Sequence, residues 1–349
     1  MVALVGESEP LVHGGDLAAA RRLFPGAAEP FIDLSTGINP NPYPLPRLGA
    51  AAFAHLPSSA DTASLAEAAA RAYGAPSAAH VVPAPGTQIL LPLVAGLVRA
   101  GRAAILAPTY GEFARAAALA GHDVAEVADF ARLREAQLVF VCNPNNPDGR
   151  LFAKNDLIVL ANDLRARGGL LAVDEAFMDV APPSISLAAE VGLGNIVVLR
   201  SFGKFFGVAG LRLGFAVAAP PLAARIAALL GPWAVSGPAL AVGSQALADT
   251  PWIEQTKTRL AAAAQRLDAL LTSVGLDIIG GTSLFRLVRT PAADELFCHL
   301  GRAGILVRAF AGHPHWLRFG LPPDEAAGRR LHDAMAAFRG DRAPCTSPS

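Results

Sequence analysis

Asn195-Ile-Val-Val-Leu-Arg200-Ser201-Phe-Gly-Lys204-Phe-Phe-Gly-Val-Ala-Gly210-Leu-Arg212-Leu-Gly214 is the stretch from which the rest of the chain is read. Asn195–Leu199 is a short apolar run without alternation, the pattern of a strand covered on both faces. Lys204 follows among Phe202, Phe205 and Phe206. Desolvation lowers a lysine's pKa and favours the neutral amine that forms a Schiff base. Ser201 and Arg212 could bind a phosphate together, the arginine through a charge-assisted fork. A lysine at a strand end is more commonly a solvated surface residue, so this motif alone decides nothing.

Working outward, four more motifs stand near expected strand or helix ends. Asp174, in Val173-Asp-Glu-Ala-Phe177, closes the apolar run Leu170–Asp174. An aspartate there can pair with a protonated pyridine nitrogen or act as a structural ion-pair partner. Asn146, in Cys142-Asn-Pro-Asn-Asn-Pro-Asp-Gly149, follows the run Gln137–Cys142. It can donate a hydrogen bond to a phenolate, or simply belong to a turn. Pro85-Gly86-Thr87-Gln88 precedes an expected helix, Ile89–Val98, whose N-terminal amides would suit an anion. Tyr110 lies between the run Ala103–Ala107 and a helical stretch, Gly111–Ala120. Apolar strands alternating with helices such as Asn155–Arg167 predict an α/β fold with a mostly parallel sheet.

The remaining segments frame this unit. Ser64-x-x-Glu67 reads as a capping box for a helix ending near Gly74. After Pro251 a long helix is expected to about Val274. Short strands at Leu284–Val288, Ile305–Arg308 and Trp316–Phe319, with a last helix from about Asp324, predict a smaller α+β unit. Ile226–Ala248 is uncharged, but its Gly231-Pro232 break favours two short helices over a membrane span.

Composition bounds the function. Among 349 residues, 52% are apolar, enough for a sizeable core, and Lys+Arg and Asp+Glu both number 29. No basic or acidic excess points to nucleic acid or a charged membrane surface, which leaves a small-molecule partner. Cys142, Cys298 and Cys345 are odd in number and unpaired in sequence, so reduced thiols and a cytoplasmic setting are expected. No metal-ligand cluster is evident. The opening Met1–Glu7 shows neither a basic nor a long apolar segment, so no signal peptide is expected.

The order of these motifs resembles the class I/II aminotransferases of pyridoxal-phosphate (PLP) fold type I, from about His13 to the final helix. Gly-rich turn, stacking Tyr, N-P-x-G asparagine, D-E-A-[YF], S-x-x-K and G-L-R-x-G all stand in the family's order. The resemblance implies that Lys204 carries the cofactor, pyridoxal 5'-phosphate, and that Asp174 pairs with its ring nitrogen. It further implies Asn146 at the ring oxygen, Tyr110 stacked on the ring, and Gly86, Thr87, Gln88, Ser201 and Arg212 around the phosphate. A homodimer is implied, with an N-terminal arm (residues 1–45) belonging to the small domain, a large domain (46–235) and a C-terminal small domain (236–349).

Finer features resemble the branch of the family that decarboxylates a phosphorylated amino acid in cobalamin biosynthesis. They are His13-Gly-Gly-Asp16, Asp33-Leu-Ser-Thr-Gly-Ile-Asn39-Pro40, Pro232-Trp-Ala-Val-Ser236, and Phe177 beside the cofactor where other branches have Tyr. On the substrate side the resemblance implies Arg318 at a carboxylate, Arg308 at a phosphate, and His13 and Asn39 nearby. The competing reading is a histidinol-phosphate-type or other amino-acid aminotransferase. Two departures stand out: Phe177 lacks a phenol to donate, and His55-Leu56-Pro57 replaces the family's R-Y-P, whose Tyr reaches the neighbouring subunit.

Overall fold

Apolar runs without alternation need cover on both faces, and the computed structural model, which describes residues 14–340, provides it. Its strands are β1 Ile32–Asp33, β2 Val81–Ala84, β3 Arg102–Leu106, β4 Asp123–Val127, β5 Leu138–Cys142, β6 Leu170–Asp174 and β7 Ile196–Ser201. They continue with β8 Gly214–Ala218, β9 Asp277–Thr282, β10 Phe285–Arg289, β11 Ile305–Leu306, β12 Arg308–Ala309 and β13 Trp316–Gly320. The large sheet has the order β2-β8-β7-β6-β5-β3-β4. It is parallel from β7 to β4, and β8 alone runs antiparallel to both its neighbours.

Alternate residues of each strand enter different cores. Val139 and Val141 of β5 pack with Leu157, Leu160 and Leu164 of the helix Lys154–Arg165. Leu138, Phe140 and Cys142 face the other way, toward Leu90, Val94, Phe113 and Ile226. The chain is therefore the expected α/β sandwich with a mostly parallel sheet. A second sheet, β12-β13-β10-β9, is antiparallel, and β1 pairs in parallel with β11, which ties the N-terminal arm to the C-terminal segment.

Several local expectations are corrected. The capping box is Ser58 with Asp61, and Ser64 and Glu67 lie within the helix Ser59–Tyr73. The helix after Gln88 is short, Leu90–Ala95. Ile226–Ala248 does fold as two helices, Pro220–Leu230 and Gly237–Ala248. No helix among the described residues is long and apolar enough to cross a membrane. Cys142 is a free buried thiol.

Candidate active site

Parallel strands end together, so the residues that follow β5, β6 and β7 emerge at one edge of the sheet. Cys142 pairs in register with Asp174, and Asp174 with Leu199. The ladder continues beyond the strands, with Asn143 N–H donating to Asp174 O and Glu175 N–H to Leu199 O, both at 2.8 Å. The Asn143–Gly149 turn, Asp174 and the Ser201–Lys204 turn therefore leave the sheet side by side. Asn145 braces the loop of Tyr110: its amide donates to Pro108 O at 2.9 Å and accepts from Thr109 Oγ1 at 2.8 Å.

Lys204 keeps a narrow opening to solvent but is ringed by protein, and its Nζ lies 5.9 Å from the Phe177 ring centre. Burial, then the Arg318 charge, lowers its pKa to about 8, against the pull of Asp174. Asp174 is buried and accepts from Ala176 N–H at 2.9 Å. Burial raises its pKa to about 6, despite that bond and Lys204. An amine easily made neutral thus faces a carboxylate that charges only near neutral pH.

A corner rich in hydrogen-bond donors lies beside them. Gly86 has φ +88°, and a Cβ there would sit 2.6 Å from Arg212 Nη2. A Cβ on Gly214 would sit 2.7 Å from Thr87 N, and Gly214 pairs in register with Ser201. Gly86, Thr87, Ser201 and Arg212 therefore meet at one corner. Arg212 itself adopts the left-handed conformation, φ +54°, a strain that non-glycine residues carry mainly at functional sites. Lysine, buried aspartate and this corner, kept open by glycine, fit pyridoxal phosphate.

Tyr110 is half-buried. Its pKa is pushed up to about 12, by burial first and then by Glu112 and Asp174, while Arg308 and Arg212 oppose the shift. The Tyr110 hydroxyl donates to Gln88 Oε1 at 3.0 Å, and Gln88 Nε2 donates to buried Glu112 at 2.7 Å. The Gln88 side chain thus braces Tyr110, while its backbone stays beside Thr87 at the start of the helix. Phe177 is buried and meets Phe285 edge-on at 5.0 Å.

The substrate side is built on β12 and β13. Arg308 pairs directly opposite Arg318, so two cations share one face of the sheet. Arg318 is buried. It donates to Asn146 Oδ1 through Nη1 and to Ser35 O through Nη2 at 2.9 Å, and its Nε has no partner. Burial, then Arg308, lowers its pKa to about 10. With Asn146 Oδ1 taken, the NH₂ of that amide is the group left to donate.

Asn39, expected on the substrate side, is buried and donates to Phe205 O at 2.9 Å while its Oδ1 accepts from Asn41 N–H at 2.9 Å. Its own N–H donates to Lys204 O, also at 2.9 Å, so it braces the lysine turn. His13 lies outside the described residues. Asp33 and Ser35 went unassigned in the sequence: the Asp33 charge raises the pKa of both Lys204 and Arg318, and Ser35 holds Arg318. Only the quoted Asp33–Pro40 run hinted at them.

A family profile described as aminotransferase class I and II matches residues 46–333. A threonine-phosphate decarboxylase of Sinorhizobium sp is 48% identical over 94% of this chain and 98% of its own length. One of Pseudomonas aeruginosa is 43% identical with the same coverage, 94% and 98%. Among solved structures, a histidinol-phosphate aminotransferase from Sinorhizobium meliloti in complex with pyridoxal-5'-phosphate superposes with TM-score 0.78 at 19% identity, covering 97% of this chain and 100% of that one.

Proposed function

The chain belongs to the class I and II aminotransferase family, of PLP fold type I, and on that premise we propose that it is a pyridoxal-phosphate-dependent decarboxylase. Its substrate is L-threonine O-3-phosphate and its product (R)-1-amino-2-propanol O-2-phosphate, a step of cobalamin biosynthesis. Relatives named for this activity align along 94% of the chain. The geometric observation that carries the reading is the Arg308/Arg318 pair. Like charges opposite one another in a ladder are destabilising, and among the described residues neither guanidinium is in an ion pair. A substrate with a carboxylate and a phosphate supplies the missing counter-charges.

Each residue then has a task. Lys204 attaches the cofactor, Asp174 holds a proton at its ring nitrogen, and Asn146 donates to its ring oxygen. Gly86, Thr87, Ser201 and Arg212 take its phosphate, and Tyr110, braced by Gln88, lies against the ring. When bound, the cofactor supplies an electron sink for the bond broken at Cα. Arg318 holds the substrate carboxylate and Arg308 its phosphate, which fixes the substrate at both ends and so selects the Cα bond that breaks. Carbon dioxide leaves, its bonding electron pair stays with Cα, and Lys204 delivers a proton there. Phe177 donates nothing to the ring oxygen, so about 1 kcal/mol of binding that a phenol would give is absent.

We place the working form in the cytoplasm as a homodimer. Support for the dimer comes from Leu45, Phe53, Leu56 and Trp233, large apolar side chains each at least 60% exposed.

The test is product formation from threonine phosphate over many turnovers with no oxo acid present. Continued release of carbon dioxide and the amino-alcohol phosphate is expected. Product that stops near one per active site and resumes on adding 2-oxoglutarate would establish transamination instead.

A further inference from the structure

Behind the site lies a charged cluster that none of these tasks uses. Glu175, the residue after Asp174, is wholly buried. Its Oε1 accepts from Leu187 N–H at 2.7 Å, and its Oε2 from Ser186 Oγ at 2.7 Å and Arg200 Nη1 at 3.1 Å. Arg200, only 4% exposed, reaches on through Nη2 to Asp179 Oδ1 at 2.7 Å and stacks on Tyr73 with its Cζ 4.2 Å from the ring centre. Arg200 is the penultimate residue of β7, next to Ser201, and Lys204 follows four positions on. Glu175 and Asp179 bracket the turn that carries Phe177.

We propose that Arg200 and Glu175 are a positioning pair for the cofactor site: Arg200 clamps the Asp174–Asp179 turn to the strand leading into Ser201 and Lys204, and it cancels the Glu175 charge so that neighbouring Asp174 can be anionic. The clamp has two anchors, so it fixes both the height of Asp174 above the sheet edge and the place of Phe177 beside Lys204. The charge argument follows from adjacency. The titratable groups that bear on Asp174 are Lys204, Glu175, Tyr110 and Cys142. Of these, Glu175 opposes ionisation of Asp174 and Lys204 favours it. Burial raises the Glu175 pKa, and Arg200 is the first group to pull it back. Without Arg200 the two adjacent buried carboxyls compete for a single negative charge, so Asp174 becomes fully anionic only at higher pH.

The proposal rests on the cofactor assignment alone, not on the choice of decarboxylation, so it stands or falls separately from the product assay. It is read from the dissociation constant of pyridoxal phosphate measured against pH, with melting temperature as a control. The cofactor's own phosphate titrates with a pKa of about 6, but it does so equally in every variant, and only shifts between variants count. In the wild type, affinity should fall on the acid side as Asp174 gains its proton. Arg200→Met should move that midpoint up by about one pH unit or more. Arg200→Met/Glu175→Gln should return it to the wild-type position, and Arg200→Lys should hold it there while lowering the melting temperature. If Arg200→Met does not fold, Glu175→Gln decides: it removes a negative neighbour and should move the midpoint down. A midpoint unchanged in Glu175→Gln, or one that fails to return in the double variant, overturns the proposal and leaves a purely structural ion pair.

Discussion

Replacing Arg308 with alanine separates a substrate contact from a structural arginine. Arg308 is half-buried, stands opposite Arg318 in the ladder, and lies 5.6 Å from the Phe310 ring centre. Its charge lowers the Arg318 pKa, second only to burial. Removing it relieves a like-charge contact worth a few tenths of a kcal/mol and gives up a modest stacking contact. The substrate-free protein should therefore melt at the same temperature or slightly higher. Binding should change sharply. A charge-assisted contact is worth about 1.5–3 kcal/mol, which corresponds to about 10- to 150-fold in KM for the phosphorylated substrate. Plain threonine, which has no phosphate, should bind with nearly unchanged affinity. Steady-state kinetics with both amino acids, beside a thermal melt, measures all three quantities. A drop of many degrees with equal losses for both substrates would refute the reasoning and make Arg308 a structural residue.

Other outcomes follow from the same geometry. Borohydride reduction should fix the cofactor onto Lys204, and peptide mapping that finds the adduct on Lys154 or Lys257 would remove the central residue of the account. Gly86→Ala adds a methyl against Arg212 at a left-handed position, so cofactor affinity should fall about tenfold or more, at about 1–2 kcal/mol for the backbone alone; unchanged affinity would move the phosphate corner elsewhere. Asp174 has its folded pKa raised from 3.8 to about 6, so its protonated form stabilises the cofactor-free fold below pH 3.8, and that stability is lost as pH rises through about 6. The loss is on the order of 3 kcal/mol for about two pK units. Cofactor-free Asp174→Asn should lack it, and denaturant melts in which variant and wild type keep a constant gap from pH 4 to about 7 would contradict the buried carboxylate.

What was legible in the sequence follows from burial. β5, β6 and β7 read plainly because both faces are covered and every position but Ser201 is buried. β4, Asp123–Val127, carries no such apolar run because it is an edge strand with most of its residues open to solvent. β2 carries Pro83, which an edge tolerates and a central strand would not. The capping box lies six residues before the Ser64-x-x-Glu67 pattern, because Asp61, at the third helical position, does the work usually given to Glu. In the site, motifs contiguous in sequence were readable, whereas pairings across the sheet were not. Glu175 and Arg200 are 25 residues apart, and only the register of β6 on β7 brings them together. The Asn39 amide likewise reaches Phe205, 166 positions away, a contact its own motif does not show.

The central claim is that this site breaks the bond from Cα to the carboxylate rather than the bond to hydrogen. It is tested most directly with L-threonine O-3-phosphate carrying deuterium at Cα, incubated with the holoenzyme in ordinary water and followed by mass spectrometry. Decarboxylation leaves the deuterium in place, so the amino-alcohol phosphate should retain it fully and gain one proton from solvent. Loss of the deuterium, together with an oxo-acid product and cofactor left in its amine form, would contradict the account.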